Sequence, residues 1–157
     1  MSKILQLKII LNNIEPKIWR RFLVSDSITF HNLHEIIQKV MGWDNYHLYE
    51  FNCKENEFGQ IDSDALDSNP YLKNSEKTKL SKYINSKKQK IKYLYDFGDS
   101  WEHMITVEKI IENNVSQKLP ACIDGERACP PEDCGGVSGY ENCLEAVKQC
   151  GMSLRYI

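Results

Sequence analysis

The sequence predicts a single α+β domain, in which antiparallel β-hairpins form a curved sheet packed on one main helix, with a second helix at the C-terminus. Three observations support this fold class: apolar residues alternate near the N-terminus, a helical period follows Thr29, and a second pair of alternating segments flanks Gly98 and Asp99. A chain of 157 residues with 41% hydrophobic and 27% charged residues has the size and composition of one globular domain.

The first predicted hairpin lies at the N-terminus. A half-buried strand is indicated by apolar residues at every second position, namely Leu5, Leu7, Ile9 and Leu11. Asn12 and Asn13 are typical turn residues, and Pro16 fits only at the start of the second strand. That strand is expected over residues 18–24, which are rich in β-branched and aromatic side chains.

The main helix is predicted over residues 30–42, because apolar residues recur there at intervals of three and four. The expected buried stripe consists of Leu33, Ile36, Ile37, Val40 and Met41. The Thr29 hydroxyl can cap the first turn, and Gly42 can end the helix. The polar residues expected mainly off the stripe are His31, His34, Glu35 and Lys39.

The middle of the chain is predicted to contain little regular structure. A third strand is expected over residues 46–52. Residues 54–79 are polar, carry turn signals and lack a clear period, so we expect a long surface loop there. A short helix near residues 80–84 is expected to come next.

A second hairpin is predicted over residues 91–111, with its turn at Gly98 and Asp99. One face of the hairpin is expected to carry Ile91, Tyr93, Tyr95 and Phe97 opposite Trp101, His103, Ile105 and Val107. Because directly opposed residues point to the same side, the predicted pairs are Phe97 with Trp101, Tyr95 with His103, and Tyr93 with Ile105.

The last part of the chain is predicted to change from loop to helix. Residues 115–118 form a polar break, and a loop is expected up to residue 134. Ser138 and Glu141 have capping-box spacing, which predicts a helix that starts nearby. The residues of this helix expected to face inward are Tyr140, Leu144 and Val147.

Charge and apolar patterning exclude several classes of function. The net charge is −2, so the chain has no general attraction for nucleic acid or anionic lipid. No stretch approaches the roughly 20 apolar residues of a membrane span, and the N-terminus lacks the apolar region of a signal peptide. We therefore expect a cytoplasmic protein without a membrane partner, whose six cysteines are thiols or ligands.

The second hairpin carries the first candidate site. Asp96, Asp99 and His103 cluster around its glycine turn, where carboxylate and imidazole groups could perform acid-base chemistry at the rim of a pocket. The alternative is a core hairpin with a polar tip, in which His103 is a hydrogen-bonded core residue.

Two groups of residues have the composition of metal sites. Cys129 and Cys134 lie near the spacing of zinc ligands, and with Cys122 and His103 they would form a mixed site. Alternatively, the prolines and glycines of this loop make it rigid and its cysteines pack as small apolar groups. The second group consists of His31 and His34 on one helix face and His47 beyond it, for which the alternative is a plain surface.

Four blocks of the sequence resemble one known family, and they span most of the chain. They are PKIWRRFLV at 16–24, FHNLHEIIQKVMGWDNYHLYEF at 30–51, YLYDFGDSWEHMITVE at 93–108, and ACPPEDCGGVSGYENCLEA at 128–146. The sequence resembles the plasmid pRiA4b ORF-three-like family, whose members are also labelled insertion-sequence passenger TnpR family proteins. The resemblance implies an α+β fold, an association with plasmids or mobile elements, and no established biochemical activity.

The resemblance also implies a domain extent and a candidate site. The domain is expected over residues 1–157, with a shortened C-terminus, because members typically continue with a further helical segment where this chain ends in GMSLRYI. The TnpR label suggests a resolvase, but the sequence has no serine-recombinase signature. The family's recurrent polar residues fall on His34, His47, Asp96, Asp99, Trp101, His103, Cys129, Pro130, Glu132, Asp133, Gly135, Gly136 and Tyr140.

The leading hypothesis is a non-catalytic binding or accessory module that recognises a protein or peptide and needs no cofactor. Its expected surface lies where the second hairpin meets the cysteine-proline loop (residues 122–136), and it comprises Tyr95, Asp96, Asp99, Trp101, His103, Pro130, Glu132, Asp133 and Tyr140. One alternative is a metal-dependent, hydrolase-like enzyme with zinc ligands among His34, His47, His103, Cys129 and Cys134. Another is a DNA-binding accessory protein that uses the lysines of residues 73–92, although the net charge argues against nucleic acid as a partner.

Overall fold

An eight-stranded, mostly antiparallel sheet and three α-helices form the fold that a computed structural model describes for residues 2–113 and 116–151. The strands are β1 (Lys3–Leu11), β2 (Trp19–Ser25), β3 (Tyr49–Cys53), β4 (Asn56–Gly59), β5 (Lys73–Asn74), β6 (Lys90–Tyr95), β7 (Trp101–Glu112) and β8 (Ala121–Glu126). The helices are α1 (Phe30–Met41), α2 (Ser63–Ser68) and α3 (Gly136–Gln149), with a short 3-10 helix at Leu80–Lys82. The predicted break at Val115 and the expected chain end at 152–157 lie outside the described residues.

The sheet is curved and open, and its strand order is β5-β4-β3-β6-β7-β1-β2-β8. Neighbouring strands are antiparallel except β4 and β5. β1 and β2 form the predicted first hairpin, in which Leu7 lies opposite Phe22. The predicted α+β class, with a curved antiparallel sheet, a main helix and a C-terminal helix, is therefore confirmed.

The hydrophobic core lies between α1 and one face of the sheet. Alternate residues of the three central strands are buried there, among them Leu5, Leu7, Ile9, Ile91, Tyr93, Tyr95, Trp101, His103 and Ile105. From α1, the Phe30 ring stacks on Phe58 with the ring centroids 4.0 Å apart and tilts against Phe51 at 5.5 Å. Because aromatic contacts add about 0.5–1.5 kcal/mol beyond the burial of their area, Phe30 anchors α1 on β3 and β4.

α1 starts at the predicted cap, but its buried face differs from the predicted stripe. Thr29 Oγ1 accepts a hydrogen bond from the Asn32 amide, and Gly42 ends the helix in the left-handed conformation with φ of 87°. His34, which was predicted off the stripe, is fully buried on it. A polar side chain can occupy a core position when its hydrogen bonds are satisfied, and a period of apolar residues does not reveal such a position.

Among the described residues, no helix is both long enough and apolar enough to span a bilayer.

The second hairpin has the predicted faces in a different register. Tyr95 pairs with Trp101 rather than with His103, and each predicted pair is shifted by two residues. The connecting loop covers residues 96–100, so Phe97 lies in the loop instead of pairing with Trp101. The wider loop closes because Asp96, its first residue, adopts a left-handed backbone conformation. The Asp96 carbonyl accepts a hydrogen bond from the amide of Ser100, the last residue of the loop. A shift by two residues leaves every side chain on its predicted face.

Two segments that were predicted as loops contain regular structure. Residues 54–79 hold β4, α2 and β5, and residues 118–134 hold the edge strand β8, which pairs with β2. The third strand begins at Tyr49 rather than at residue 46, while the predicted helix near residue 80 is the 3-10 helix. β4, α2 and β5 are too short to produce a readable period, and β8 is almost entirely exposed and so has no buried alternate positions.

The C-terminal helix starts earlier than its predicted capping box. Gly135 is the N-cap residue and has φ of 94°, so Ser138 lies inside α3 and its side chain makes no cap. Tyr140 is buried as predicted, whereas Leu144 and Val147 are partly buried. The glycines of the preceding loop therefore set the helix start.

Replacing Phe30 tests the packing of α1. We expect Phe30→Ala to lower the free energy of unfolding by about 3–5 kcal/mol, because it opens a cavity between Phe58 and Phe51. Urea denaturation at pH 7 measures the change. The control Ile123→Ala, at a half-exposed position of β8, should change stability by less than about 1 kcal/mol. Equal effects of the two substitutions would contradict this packing.

Candidate functional site

Three segments that are distant in sequence meet at one place, which we call the junction. The Trp43 indole donates from Nε1 to the Pro130 carbonyl at 2.9 Å, and the Gly135 amide donates to Asp99 Oδ2 at 3.1 Å. The junction consists of the segment before β3 (residues 43–48), the β6–β7 loop (96–100) and the loop before α3 (130–136). The predicted contact between the second hairpin and the cysteine-proline loop is thus confirmed.

A buried hydrogen-bond network fixes the segment 43–48. His34 Nδ1 lies 2.8 Å from the Tyr93 hydroxyl, and its Nε2 lies 2.5 Å from Asn45 Oδ1. Because an amide oxygen only accepts, Nε2 carries the ring proton and Nδ1 accepts from the hydroxyl. The Gln38 side chain donates to the same hydroxyl at 3.1 Å, and its Oε1 accepts from the Asn45 amide at 2.9 Å.

Burial keeps two core histidines neutral. Desolvation lowers the pKa of His34 to about 4, although its hydrogen bond to Asn45 opposes the change. Desolvation also lowers the pKa of His103 to about 4, while its Nδ1 donates to the Tyr93 carbonyl at 3.2 Å. His103 is therefore a buried, hydrogen-bonded residue of the hairpin.

At the junction, three carboxylates surround the imidazole of His47. His47 Nε2 lies 2.7 Å from Asp133 Oδ1, 3.4 Å from Asp96 Oδ2 and 3.9 Å from Glu132 Oε2. Both this nitrogen and Glu132 Oε2 are buried; within the described residues Glu132 Oε2 has no hydrogen-bond partner, and the short contact between His47 Nε2 and Asp133 Oδ1 lacks hydrogen-bond geometry. We call His47, Asp96, Glu132 and Asp133 the His47 cluster.

The two more buried carboxylates of the cluster are held through their other oxygens. Asp96 Oδ1 accepts from the backbone amides of residues 98 and 99 at 3.0 and 3.3 Å. Glu132 Oε1 accepts from the Tyr95 hydroxyl at 2.8 Å and from the Asp44 amide at 2.9 Å. Burial, and then the Glu132 carboxylate, raise the pKa of Tyr95, so its hydroxyl remains a donor. Each carboxylate is thereby oriented with one oxygen toward His47.

Several residues predicted for an exposed recognition surface are core residues instead. The buried members of that set are Tyr95, Asp96, Trp101, His103, Pro130 and Tyr140. Asp96 nevertheless lies at the junction, together with the less buried Asp99, Glu132 and Asp133.

The predicted cysteine and histidine ligands do not converge. In residues 2–113 and 116–151, the one group of histidine, cysteine or acidic side chains with all ligand atoms within 4.8 Å of one another is His47, Asp96 and Asp133. The predicted ligands outside this group are His34, His103, Cys129 and Cys134. Burial raises the pKa of Cys129 to about 12, so its thiol stays protonated and packs as an apolar group. All six cysteines, each among the described residues, are free thiols.

Two residues that build the junction were not predicted. Trp43 anchors the segment on the loop before α3, and Asn45 turns the chain toward β3 with a left-handed φ of 58°. The sequence signal for them lies in residues 42–45, where Trp43 stands between the helix-ending Gly42 and two turn-forming residues. A large apolar residue in this position is typical of an anchored loop.

A groove beside the junction opens between α2, β3 and the β6–β7 loop. Its volume is about 330 Å³, and its lining includes Leu48, Glu50, Asp62, Asp64, Leu72 and Phe97. None of the lining residues is basic, and Leu48 and Phe97 are half-exposed. Burial, and then the Glu57 carboxylate, raise the pKa of Glu50. We call this feature the acidic groove.

Comparison with known proteins places the chain in a family. A family model described as "Plasmid pRiA4b ORF-3-like protein" matches residues 3–151. The chain belongs to this family. The resemblance found in the sequence is therefore confirmed.

Two relatives have similar sequences or structures. The chain is 37% identical over 147 residues to "Uncharacterized protein y4hQ" of Sinorhizobium fredii (strain NBRC 101917 / NGR234), a match that covers 94% of the chain and 74% of the relative. It is 38% identical to the protein of unknown function MM3350 from Methanosarcina mazei Go1, whose crystal structure matches with a TM-score of 0.83. That match covers 94% of this chain and 83% of the other. Neither description indicates a catalytic function.

The close approach of α3 to the β6–β7 loop can be tested at Gly136. A Cβ atom at this position would lie 2.6 Å from the Asp99 carbonyl oxygen, and the backbone φ is 70°. We expect Gly136→Ala to lower the free energy of unfolding by about 2–3 kcal/mol in urea denaturation. The control Gly42→Ala has a similar φ of 87° and open space around the new Cβ, so it should cost only about 1–2 kcal/mol. Equal losses would argue against the close approach.

The two neutral core histidines predict a pH dependence of stability. The unfolded chain binds protons at His34 and His103 below their ordinary pKa of 6.5, whereas the folded protein binds them only near pH 4. The free energy of unfolding should therefore include the full contribution of these two histidines above pH 6.5 and fall as the pH decreases toward 4. Because one pKa unit corresponds to about 1.4 kcal/mol, each histidine contributes up to roughly 3 kcal/mol of this loss.

Urea denaturation between pH 4.5 and 7 measures the effect. The variant His103→Phe should show a shallower decrease than the wild type, since one of the two imidazoles is gone. A wild-type stability that is constant over this range, or an unchanged slope in the variant, would contradict the assignment.

Proposed function

We propose that this protein is a non-catalytic binding module that holds a peptide segment with basic and apolar side chains in the acidic groove. The observation that carries the proposal is the lining of the groove, which combines apolar and acidic side chains and contains no basic one. Leu48 and Phe97 offer half-exposed apolar surface at the junction side of the groove. A cavity of about 330 Å³ accommodates one or two side chains.

Charge complementarity favours a basic partner. Glu50, Asp62 and Asp64 line the groove, and in the described chain none of them forms an ion pair. The raised pKa of Glu50 reflects a partly buried carboxylate beside another carboxylate, and a bound cation would relieve both costs. Opposite charges across an interface contribute mainly to specificity and to the association rate.

The family description refers to a plasmid. We extend the proposal to an accessory role in the cytoplasm, associated with plasmids or mobile elements, in which the partner is a protein.

A metal-dependent, hydrolase-like enzyme is the second candidate function, and the His47 cluster is the observation that favours it. Binding of DNA through residues 73–92 is the third, and it would show a steep dependence of affinity on salt. These lysines are spread over β5, the 3-10 helix, β6 and the segments between them, so the described elements do not present them as one helix face.

Peptide binding tests the proposal directly. Fluorescence anisotropy is recorded with a short labelled peptide of alternating lysine and leucine, with EDTA present, and a peptide of alternating glutamate and leucine is the control. We expect binding of the lysine peptide alone. Phe97→Ala should weaken it about tenfold, as for the truncation of a central apolar contact, and Asp64→Asn should weaken it and reduce its salt dependence.

Two matched variants serve as controls for these substitutions. Ile123→Ala removes an apolar side chain that is 49% exposed, compared with 50% for Phe97, on the distant strand β8. Glu145→Gln removes an exposed carboxylate from α3. Both should bind like the wild type. Absent binding, equal binding of the two peptides, or equal effects of the control variants would overturn the proposal.

A further inference from the structure

We propose that the His47 cluster binds a divalent transition-metal ion, for which zinc is a suitable probe. The candidate ligand atoms are His47 Nε2, Asp96 Oδ2 and Asp133 Oδ1, which all lie within 4.8 Å of one another. Imidazole nitrogen and carboxylate oxygen are the ligands that zinc accepts in sites with three protein ligands and one solvent position. This inference is independent of peptide binding in the acidic groove.

Of the two separations that involve His47 Nε2, one matches an edge of a coordination shell and the other is shorter than such an edge. Zinc bonds to nitrogen and oxygen are about 2.0–2.2 Å long, so adjacent ligands lie roughly 3.0–3.5 Å apart. His47 Nε2 lies 2.7 Å from Asp133 Oδ1 and 3.4 Å from Asp96 Oδ2. Because the Asp133 side chain is largely exposed, a rotation of this residue can complete the shell.

Two features of the hydrogen bonding point to a cation site. The Asp96 carboxylate is only 7% exposed. Its Oδ1 accepts hydrogen bonds from the backbone amides of residues 98 and 99, while its Oδ2 faces His47. The Glu132 carboxylate is 13% exposed, and its Oε1 accepts hydrogen bonds from the Tyr95 hydroxyl and the Asp44 amide. Its buried Oε2 has no hydrogen-bond partner among the described residues. Buried polar atoms are normally satisfied, so Glu132 Oε2 is costly without a bound ion, and the buried His47 Nε2 has only its ion-pair contact with Asp133.

The charge of the cluster supports the same inference. Three carboxylates face one imidazole, and among the described residues none of the three forms an ion pair with lysine or arginine. A divalent cation would neutralise this excess negative charge. Glu132 lies 3.9 Å from His47 Nε2 and is placed to act as a fourth ligand or to accept a hydrogen bond from a metal-bound water.

Titration of zinc chloride into the metal-free, full-length protein, followed by calorimetry at pH 7, tests the site. We expect one zinc ion per chain. His47→Gln and Asp133→Asn should each weaken binding at least about tenfold. Asp133 is exposed, so its substitution leaves folding intact, and thermal unfolding verifies this for both variants. The control His31→Gln removes another partly buried histidine that pairs with a carboxylate, Glu35, outside the cluster, and should bind zinc like the wild type.

Cobalt identifies the ligands independently. The protein loaded with Co²⁺ should show weak visible bands without the intense thiolate-to-metal band that a site at Cys129 and Cys134 would produce. A thiolate band, a lack of stoichiometric zinc binding, or unchanged affinity in both cluster variants would overturn the proposal and leave His47 as the centre of an ion-pair cluster only. The peptide is absent from these titrations and EDTA is present in the peptide assay, so either proposal can fail alone.

Discussion

The arrangement of the junction depends on the buried hydroxyl of Tyr93. A buried hydroxyl without a partner costs about 1–3 kcal/mol, so this tyrosine of β6 requires polar groups on the helix that covers it. His34 and Gln38 supply those groups, and both also bind Asn45. The strand, the helix and the segment before β3 therefore form one hydrogen-bonded unit. Burial raises the pKa of Tyr93, which keeps the hydroxyl protonated and able to donate to His34.

In this unit, the residues that support the site are buried, whereas the groups accessible to a ligand lie on loops. The aromatic residues of the hairpin are buried and fix the position of the loops, as Tyr95 does by donating to Glu132. The exposed or partly exposed groups, such as Asp133 and Phe97, are carried by loops on that rigid support. Function in such an arrangement resides in the loops, while the geometry that positions them comes from the core.

The acidic groove and the His47 cluster are neighbours along the chain. Leu48 of the groove follows His47 of the cluster, and Phe97 follows Asp96. Because the relatives are described only as uncharacterised or of unknown function, the fold they share does not identify a ligand, and the chemistry of these two sites must supply that information.

The sequence by itself determined the fold class, the family, the first hairpin, the main helix with both its ends, and the meeting of the hairpin with the cysteine-proline loop. These features follow from local periods, caps and a family pattern that extends over most of the chain. Only the tertiary structure decided the hairpin register, the short strands β4, β5 and β8, and which polar residues are buried. It also joined His47 to Asp96 and Asp133, while Cys129 and Cys134 lie outside that group. The physical reason is that burial and hydrogen-bond satisfaction depend on partners remote in sequence: His34 is a core residue because Tyr93 and Asn45 satisfy it, and no local pattern contains that information.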